Sequence, residues 1–228
     1  MNDEIVSLYQ PTNKTLHKQV IGQSGSGKTV FLEKTAETYL RNNTNDSFRL
    51  IYFSPKHENF LDLLPKGQKP VSSVDEMLKS MSENTLTVVY PPVEGLDDVM
   101  DDVINSLFDM KDANPKLSAT LVIDDAQTFL SARKEASTAF RRIALLGRSK
   151  SLNVIFVAHQ PILNKTLEAQ VEKLVFFSLP NPNQYKSTEE RFGFDPSNYD
   201  EALKSKKYSF VIYEVGTGKS RLMNPLQL

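Results

Sequence analysis

The run Gly22-Gln23-Ser24-Gly25-Ser26-Gly27-Lys28-Thr29 fills every fixed position of the phosphate-loop pattern G-x-x-x-x-G-K-[ST]. A loop of this kind turns successive backbone N–H groups toward a chain of phosphates, and the helix behind it adds its positive dipole end. In that pattern Lys28 reaches the β- and γ-phosphates, and the Thr29 hydroxyl holds Mg²⁺. Lys18-Gln19-Val20-Ile21 reads as a strand before the loop, and residues 30–40 as a helix after it. Strand, loop and helix in this order predict that the chain binds a nucleoside triphosphate, ATP or GTP.

A second element is Leu121-Val122-Ile123-Asp124-Asp125, an apolar strand that ends in two carboxylates. The first, Asp124, is expected to bind Mg²⁺ directly or through water, and the second, Asp125, to orient or deprotonate the attacking water. A third strand, 153–158, ends in His159-Gln160-Pro161. If it lies beside the phosphate-loop strand, Gln160 is placed to report hydrolysis through a hydrogen bond gained or lost. His17, His57 and His159 are all read as solvated loop residues.

The most basic stretch holds Arg133, Lys134, Arg141, Arg142, Arg148 and Lys150 against one acid, Glu135. It is a solvated face, an arginine finger for a neighbouring subunit, or a contact to a nucleic-acid backbone. Asp97, Asp98, Asp101 and Asp102 form the polar, solvated face of a helix over 96–108. Gly216-Thr217-Gly218-Lys219-Ser220 imitates a second phosphate loop. Tyr213 stands where the pattern needs its first glycine, so the segment is read as a turn.

These residues need a scaffold. Apolar runs at 18–22, 49–54, 85–90, 119–124, 153–158, 173–179 and 208–215 alternate with helical segments, clearest at 96–108 and 132–147. Runs such as Thr120-Leu121-Val122-Ile123 and Val154-Ile155-Phe156-Val157 are apolar on both faces, as central parallel strands are. The expected fold is a doubly wound α/β domain over 1–228, with a mainly parallel central sheet flanked by helices. Runs 208–215 and 219–224 are expected to close it as an antiparallel C-terminal β-hairpin.

Composition bounds the rest. The 228 residues are 39% hydrophobic and 24% charged, with a formal net charge of −1 and no cysteine. Disulfides, zinc–thiolate sites and thiol catalysis are excluded together. A whole-molecule charge near zero steers neither nucleic acid nor acidic membrane, so any DNA contact is local. The N-terminus is acidic where a signal peptide is basic, and no apolar run approaches a membrane span. The expected setting is therefore cytoplasmic.

Together, residues 22–29, 121–125 and Gly147-Arg148-Ser149-Lys150 followed by 153–161 resemble the FtsK–HerA superfamily of hexameric DNA-pumping ATPases. The likeness is to its viral branch, the genome-packaging ATPases of tailless double-stranded DNA viruses. Ser54-Pro55-Lys56-His57-Glu58 is similar to that family's D-P-K-G-E passage, with Ser54 in place of the aspartate. Asp125 stands where cellular members carry glutamate, and paired aspartates are the viral habit. The resemblance implies a RecA-like P-loop NTPase fold, ATP and Mg²⁺ as cofactors, and catalytic roles for Lys28, Asp125, Gln160 and a trans-acting Arg148. It also implies double-stranded DNA and a homo-hexamer or similar ring as partners. Capsid vertex proteins, the host cytoplasm and the virion follow from the same likeness. Two other readings stay open: a P-loop ATPase of phage assembly or extrusion, and a non-motor nucleotide-binding switch or kinase.

Overall fold

An extended segment that is apolar on both sides needs a covering layer on each. In the computed structural model, which describes residues 7–9, 17–130, 135–161 and 164–225, the chain supplies both layers. In chain order the elements are β1 (His17–Ile21), α1 (Lys28–Asn42), β2 (Phe48–Phe53), α2 (Val74–Glu83), β3 (Leu86–Val89) and α3 (Leu96–Ala113). Then come β4 (Ser118–Ile123), α4 (Gln127–Leu130), α5 (Thr138–Leu146), β5 (Leu152–Ala158), α6 (Lys165–Glu168) and β6 (Val171–Phe176). The remainder is α7 (Pro182–Phe192), α8 (Asp200–Ser205), β7 (Phe210–Glu214) and β8 (Lys219–Met223).

The strands form one sheet in the order β3-β2-β4-β5-β1-β6-β7-β8. Pairing is parallel from β3 through β6 and antiparallel at β6–β7 and β7–β8. Successive residues of β4 take opposite faces. Leu121 and Ile123 pack with Met77 of α2, Met100 and Ile104 of α3, and Phe140 and Ile143 of α5. Val122 faces the other way, into a cluster with Val20, Ile155, and Phe31 and Leu32 of α1. A short 3-10 turn (Ser7–Tyr9) seals that second face. The Tyr9 hydroxyl donates to the Leu32 carbonyl at 2.8 Å, and Thr120 Oγ1 donates to the Tyr9 carbonyl at 2.7 Å.

This order sets the site. The register Ile21↔Ala158 and Ile123↔Phe156 brings the carboxyl ends of β1, β5 and β4 to one edge of the sheet. Ligands in open α/β sheets bind at that edge.

Two expectations need correction. The stripe expected to make one helix over 132–147 contains a break. Ser137 caps α5 by accepting the Phe140 N–H at 3.2 Å, and Ala132, Arg133 and Lys134 lie outside the described residues. The second correction concerns His17, expected to be solvated: it lies buried in β1. Its Nδ1 accepts the Val154 N–H at 3.1 Å, and its Nε2 donates to the Ile143 carbonyl at 3.0 Å. Burial lowers its pKa to about 4, so the ring stays neutral. Gly147 lies against that ring, where a Cβ would press into the Ile143 and Leu152 carbonyl oxygens.

The C-terminal hairpin forms as expected, with Gly218 in the turn at φ 68. Among the described residues no helix is long and apolar enough to cross a membrane.

Candidate nucleotide site

Residues 22–29 leave β1 and enter α1 at the carboxyl edge. Gly22 is needed for closeness: a Cβ there would fall 2.6 Å from Phe177 Cβ and 2.7 Å from Ser26 Oγ. Gly25 and Gly27 are needed for conformation, with φ of 73 and 102, a region costly for residues with a Cβ. No side chain caps α1, whose first residue is Lys28. The loop's own glycines thus keep the helix end open to an anion.

Lys28 folds back into the loop. Its Nζ donates to the Gly22 carbonyl at 2.6 Å and the Gln23 carbonyl at 3.0 Å, and lies 3.4 Å from His159 Nδ1. Burial lowers its pKa to about 8, Asp124 acts in the opposite direction, and Lys56 adds to the depression. A cavity of about 250 Å³ opens over the loop. Its lining includes Ser24, Thr29, Lys56, Asp124, His159 and Tyr208.

The two aspartates leave β4 in different conformations. Asp124 Oδ2 accepts from the Tyr52 hydroxyl at 2.9 Å, while its Oδ1 accepts the Asp125 N–H at 3.0 Å. Burial and the neighbouring carboxylate raise the Tyr52 pKa, so the phenol remains a donor. Asp125 sits at φ 52, a left-handed backbone of the kind found at functional sites. Its carboxylate is held by Lys56 Nζ at 3.1 Å and by Gln127 Nε2. His159 Nε2 stands 3.8 Å away. Gln127 also accepts the His159 N–H at 2.9 Å, tying the ends of β4 and β5 together.

The donor set fits a hard cation. Thr29 and Asp124 both line the cavity with oxygen. Among the described residues no group of three or more histidines or carboxylates forms a protein cage. Mg²⁺ takes one or two protein oxygens and completes its shell with phosphate and water, a demand that a hydroxyl and a carboxylate at one cavity can meet.

The structure thus brings residues 22–29, Asp124 and Asp125 together. It places His159, expected to be merely solvated, against Lys28 and Asp125. Burial first, then Lys28 and Lys56, lowers the His159 pKa, which leaves the ring neutral and able to accept from Lys28. Gln160 follows on the same strand end but is not among the residues lining the cavity. Arg148 lies elsewhere. It begins a 3-10 turn, Arg148–Lys150, that leads into β5, so it stands at the opposite end of that strand from His159. Seven strand residues span about 20 Å.

Other basic residues of that stretch have partners in the domain. Arg141 pairs with Glu135 at 3.3 Å, the Arg142 guanidinium lies 4.0 Å over the Phe108 ring, and Lys150 pairs with Asp112 at 2.6 Å. On α3, Asp97, Asp98 and Asp102 are exposed as expected, while Asp101 accepts from Ser137 Oγ at 2.5 Å.

Sequence reasoning gave no role to Lys56, Tyr52 or Tyr208. Lys56 had a signal in the S-P-K-H-E match. Tyr52 and Tyr208 carried none, because only the strand order brings β2 and the start of β7 to the loop.

The comparisons agree with this geometry. The family described as an AAA domain matches residues 18–167. The genome packaging NTPase B204 from Sulfolobus turreted icosahedral virus 2, solved in complex with ATP-gammaS, is 18% identical with a TM-score of 0.74. That match covers 93% of this chain and 98% of that one. B204 from Sulfolobus Turreted Icosahedral Virus, described as a DNA-packaging ATPase, is 19% identical over 95% of this chain and all 100% of that one, with a TM-score of 0.73. The cytoplasmic domain of the Type VII secretion ATPase EccC from Thermomonospora curvata is 14% identical. It aligns with 93% of this chain and 25% of that one, at a TM-score of 0.63. No curated protein sequence matches. The fold is therefore the mainly parallel P-loop NTPase sheet of the packaging enzymes. With the matched segment running from β1 through β5, including the loop and both aspartates, the chain belongs to the AAA domain family.

Proposed function

We propose that residues 1–228 act as a single ATP-hydrolysing domain of an oligomeric motor that translocates double-stranded DNA, packaging a viral genome into a preformed capsid. The observation that carries the ATPase reading is the convergence of Lys28, Asp124 and Asp125 on one edge of the sheet. Gly22, Gln23, Ser24, Gly25, Ser26 and Gly27 cradle the phosphates through backbone N–H groups. Lys28 neutralises charge on the β- and γ-phosphates, and Thr29 with Asp124 holds Mg²⁺. Bound Mg²⁺ supplies further charge neutralisation on the phosphates.

Asp125 orients a water and takes up its proton as the water oxygen bonds to the γ-phosphorus. The bond from that phosphorus to the bridging oxygen breaks, and ADP leaves with the bridging oxygen. His159 and Gln160, at the tip of β5, sense the change. Arg148, remote from its own cavity, serves the site of the next subunit in a hexamer or similar ring. The motor reading is supported by the likeness in fold to the genome packaging NTPases and by the FtsK–HerA-like passages. The host cytoplasm and the capsid vertex are where such a motor works.

The test is ATP turnover of the assembled protein with double-stranded DNA across a salt series. A motor's rate rises with DNA of any sequence, and the stimulation fades as salt screens phosphate contacts. A rate indifferent to DNA at every salt concentration points instead to a non-motor switch or kinase.

A further inference from the structure

A bulky residue held at positive φ carries backbone strain, and Tyr208 sits at φ 68 two residues before β7. Its ring lies beside the phosphate loop. A Cβ on Gly27 would meet the ring's Cδ1 at 2.7 Å, so the glycine makes room for the aromatic as well as for phosphate. The ring therefore lies against the loop. The Lys207 ammonium stands over it, 4.7 Å from the centroid, on an exposed and displaceable side chain. Tyr208 lines the same cavity as Lys28, Thr29 and Asp124.

The strand order gives the cavity a direction. Asp124 and His159 follow β4 and β5, on one flank of β1, whereas Tyr208 precedes β7, on the opposite flank beyond β6. A phosphate chain laid over the loop has its reacting end among the carboxylates. Its other end, which bears the nucleoside, therefore points toward Tyr208.

We propose that the Tyr208 ring is the platform on which the base of the bound nucleotide stacks, with Lys207 displaced from the ring face. This deepens the nucleotide-binding reading and rests on it. Stacking of a base on an aromatic side chain alters affinity about 5- to 150-fold, and it tolerates any base because each has a π-face.

The experiment compares ATP with inorganic tripolyphosphate, each with Mg²⁺, by calorimetry on wild type, Tyr208→Ala and Tyr208→Phe. Tyr208→Ala is expected to lose about 10- to 100-fold in ATP affinity. Its tripolyphosphate affinity should stay that of wild type, which also reports an intact loop. Tyr208→Phe should bind ATP as wild type does. The chain has no tryptophan, so Tyr208→Trp gives a single indole reporter. Its emission should change with ATP and not with tripolyphosphate. Unchanged ATP affinity in Tyr208→Ala, or an indole blind to bound ATP, overturns the platform and leaves the phosphate loop standing. Wild type that binds neither ligand overturns the nucleotide reading itself, and the platform with it.

Discussion

Lys56 Nζ lies 3.1 Å from Asp125 Oδ2, so the carboxylate assigned to water is anchored by a lysine from the turn after a different strand. β2 delivers Lys56 and β4 delivers Asp125, and the parallel pairing of those strands fixes their approach. Positioning of a general base acts on the transition state, where a small misplacement costs about 10²-fold. Lys56→Met is therefore expected to lower kcat by about 10- to 100-fold while ADP affinity stays near wild type. Asp125→Asn should stop turnover more completely with ATP binding retained, because Asp124 still holds the metal. Single-turnover rates alongside binding constants check both. A Lys56→Met enzyme with wild-type kcat would remove Lys56 from the hydrolytic machinery.

ATP affinity should fall as pH rises past about 8. Burial holds the Lys28 ammonium of the free protein at about 8, below its ordinary 10.5. Triphosphate favours the charged form and raises that value again. Above pH 8 the free site has lost its proton and must regain it on binding, so affinity declines by up to about tenfold per pH unit. Calorimetry in two buffers of different ionisation enthalpy should show little proton uptake at pH 7 and close to one proton at pH 9. No uptake at pH 9 would contradict a role for Lys28 in holding phosphate.

Arg148→Ala should leave nucleotide binding and ring assembly intact yet nearly silence hydrolysis. Loss of an arginine supplied in trans typically costs about 10³–10⁵ in rate. Lys28→Ala has a dead site but keeps its arginine. Rings mixed from the two variants should recover activity, measured as ATP turnover after co-assembly. Mixed rings that stay inactive would count against Arg148 and turn attention to Arg141 and Arg142.

Stability should drop as pH falls from neutrality. The His17 pKa is about 4 in the fold against an ordinary 6.5. The native state therefore resists protonation. The stabilisation is fully present above 6.5 and is lost as pH falls through about 4, worth about 3 kcal/mol over the window. Urea midpoints at pH 7 and pH 5 measure it. His17→Gln should flatten this part of the acid response while costing about 1–3 kcal/mol at pH 7, through the hydrogen bonds to Val154 and Ile143. An unchanged acid response in that variant would assign the effect to other groups.

What the sequence made legible follows a physical divide. β2, β4 and β5 announced themselves because strands covered on both faces must be apolar throughout. The phosphate loop was legible because few residue types tolerate its backbone. β1 was harder. His17, Lys18 and Gln19 are polar, yet all three are buried between β5 and β6. Nothing local distinguishes a buried histidine from a solvated one, so His17 was misread. The capped start of α5 at Ser137 was hidden by an apolar stripe that ran on before it. Helix α7 went unread because its residues are mostly polar, and of its buried positions Tyr185, Thr188 and Phe192 the middle one is itself polar. Lys56 and Tyr208 reach the site through β2 and the turn before β7, and such convergence depends on strand order, which periodicity does not encode.

The place of β1 in the sheet has a consequence for how the protein is made. Its register partners are Ile155 on one side and Lys173 on the other, opposite Lys18. The phosphate loop is synthesised well before β5 and β6, but its strand has no neighbour in the sheet until both have emerged. Contacts this distant in sequence carry a loop-closure cost and slow folding. The loop's sheet support is thus acquired only after β5 and β6 have been made. A chain interrupted before β6 carries the whole phosphate-loop sequence without the two-sided sheet that gives the loop its shape.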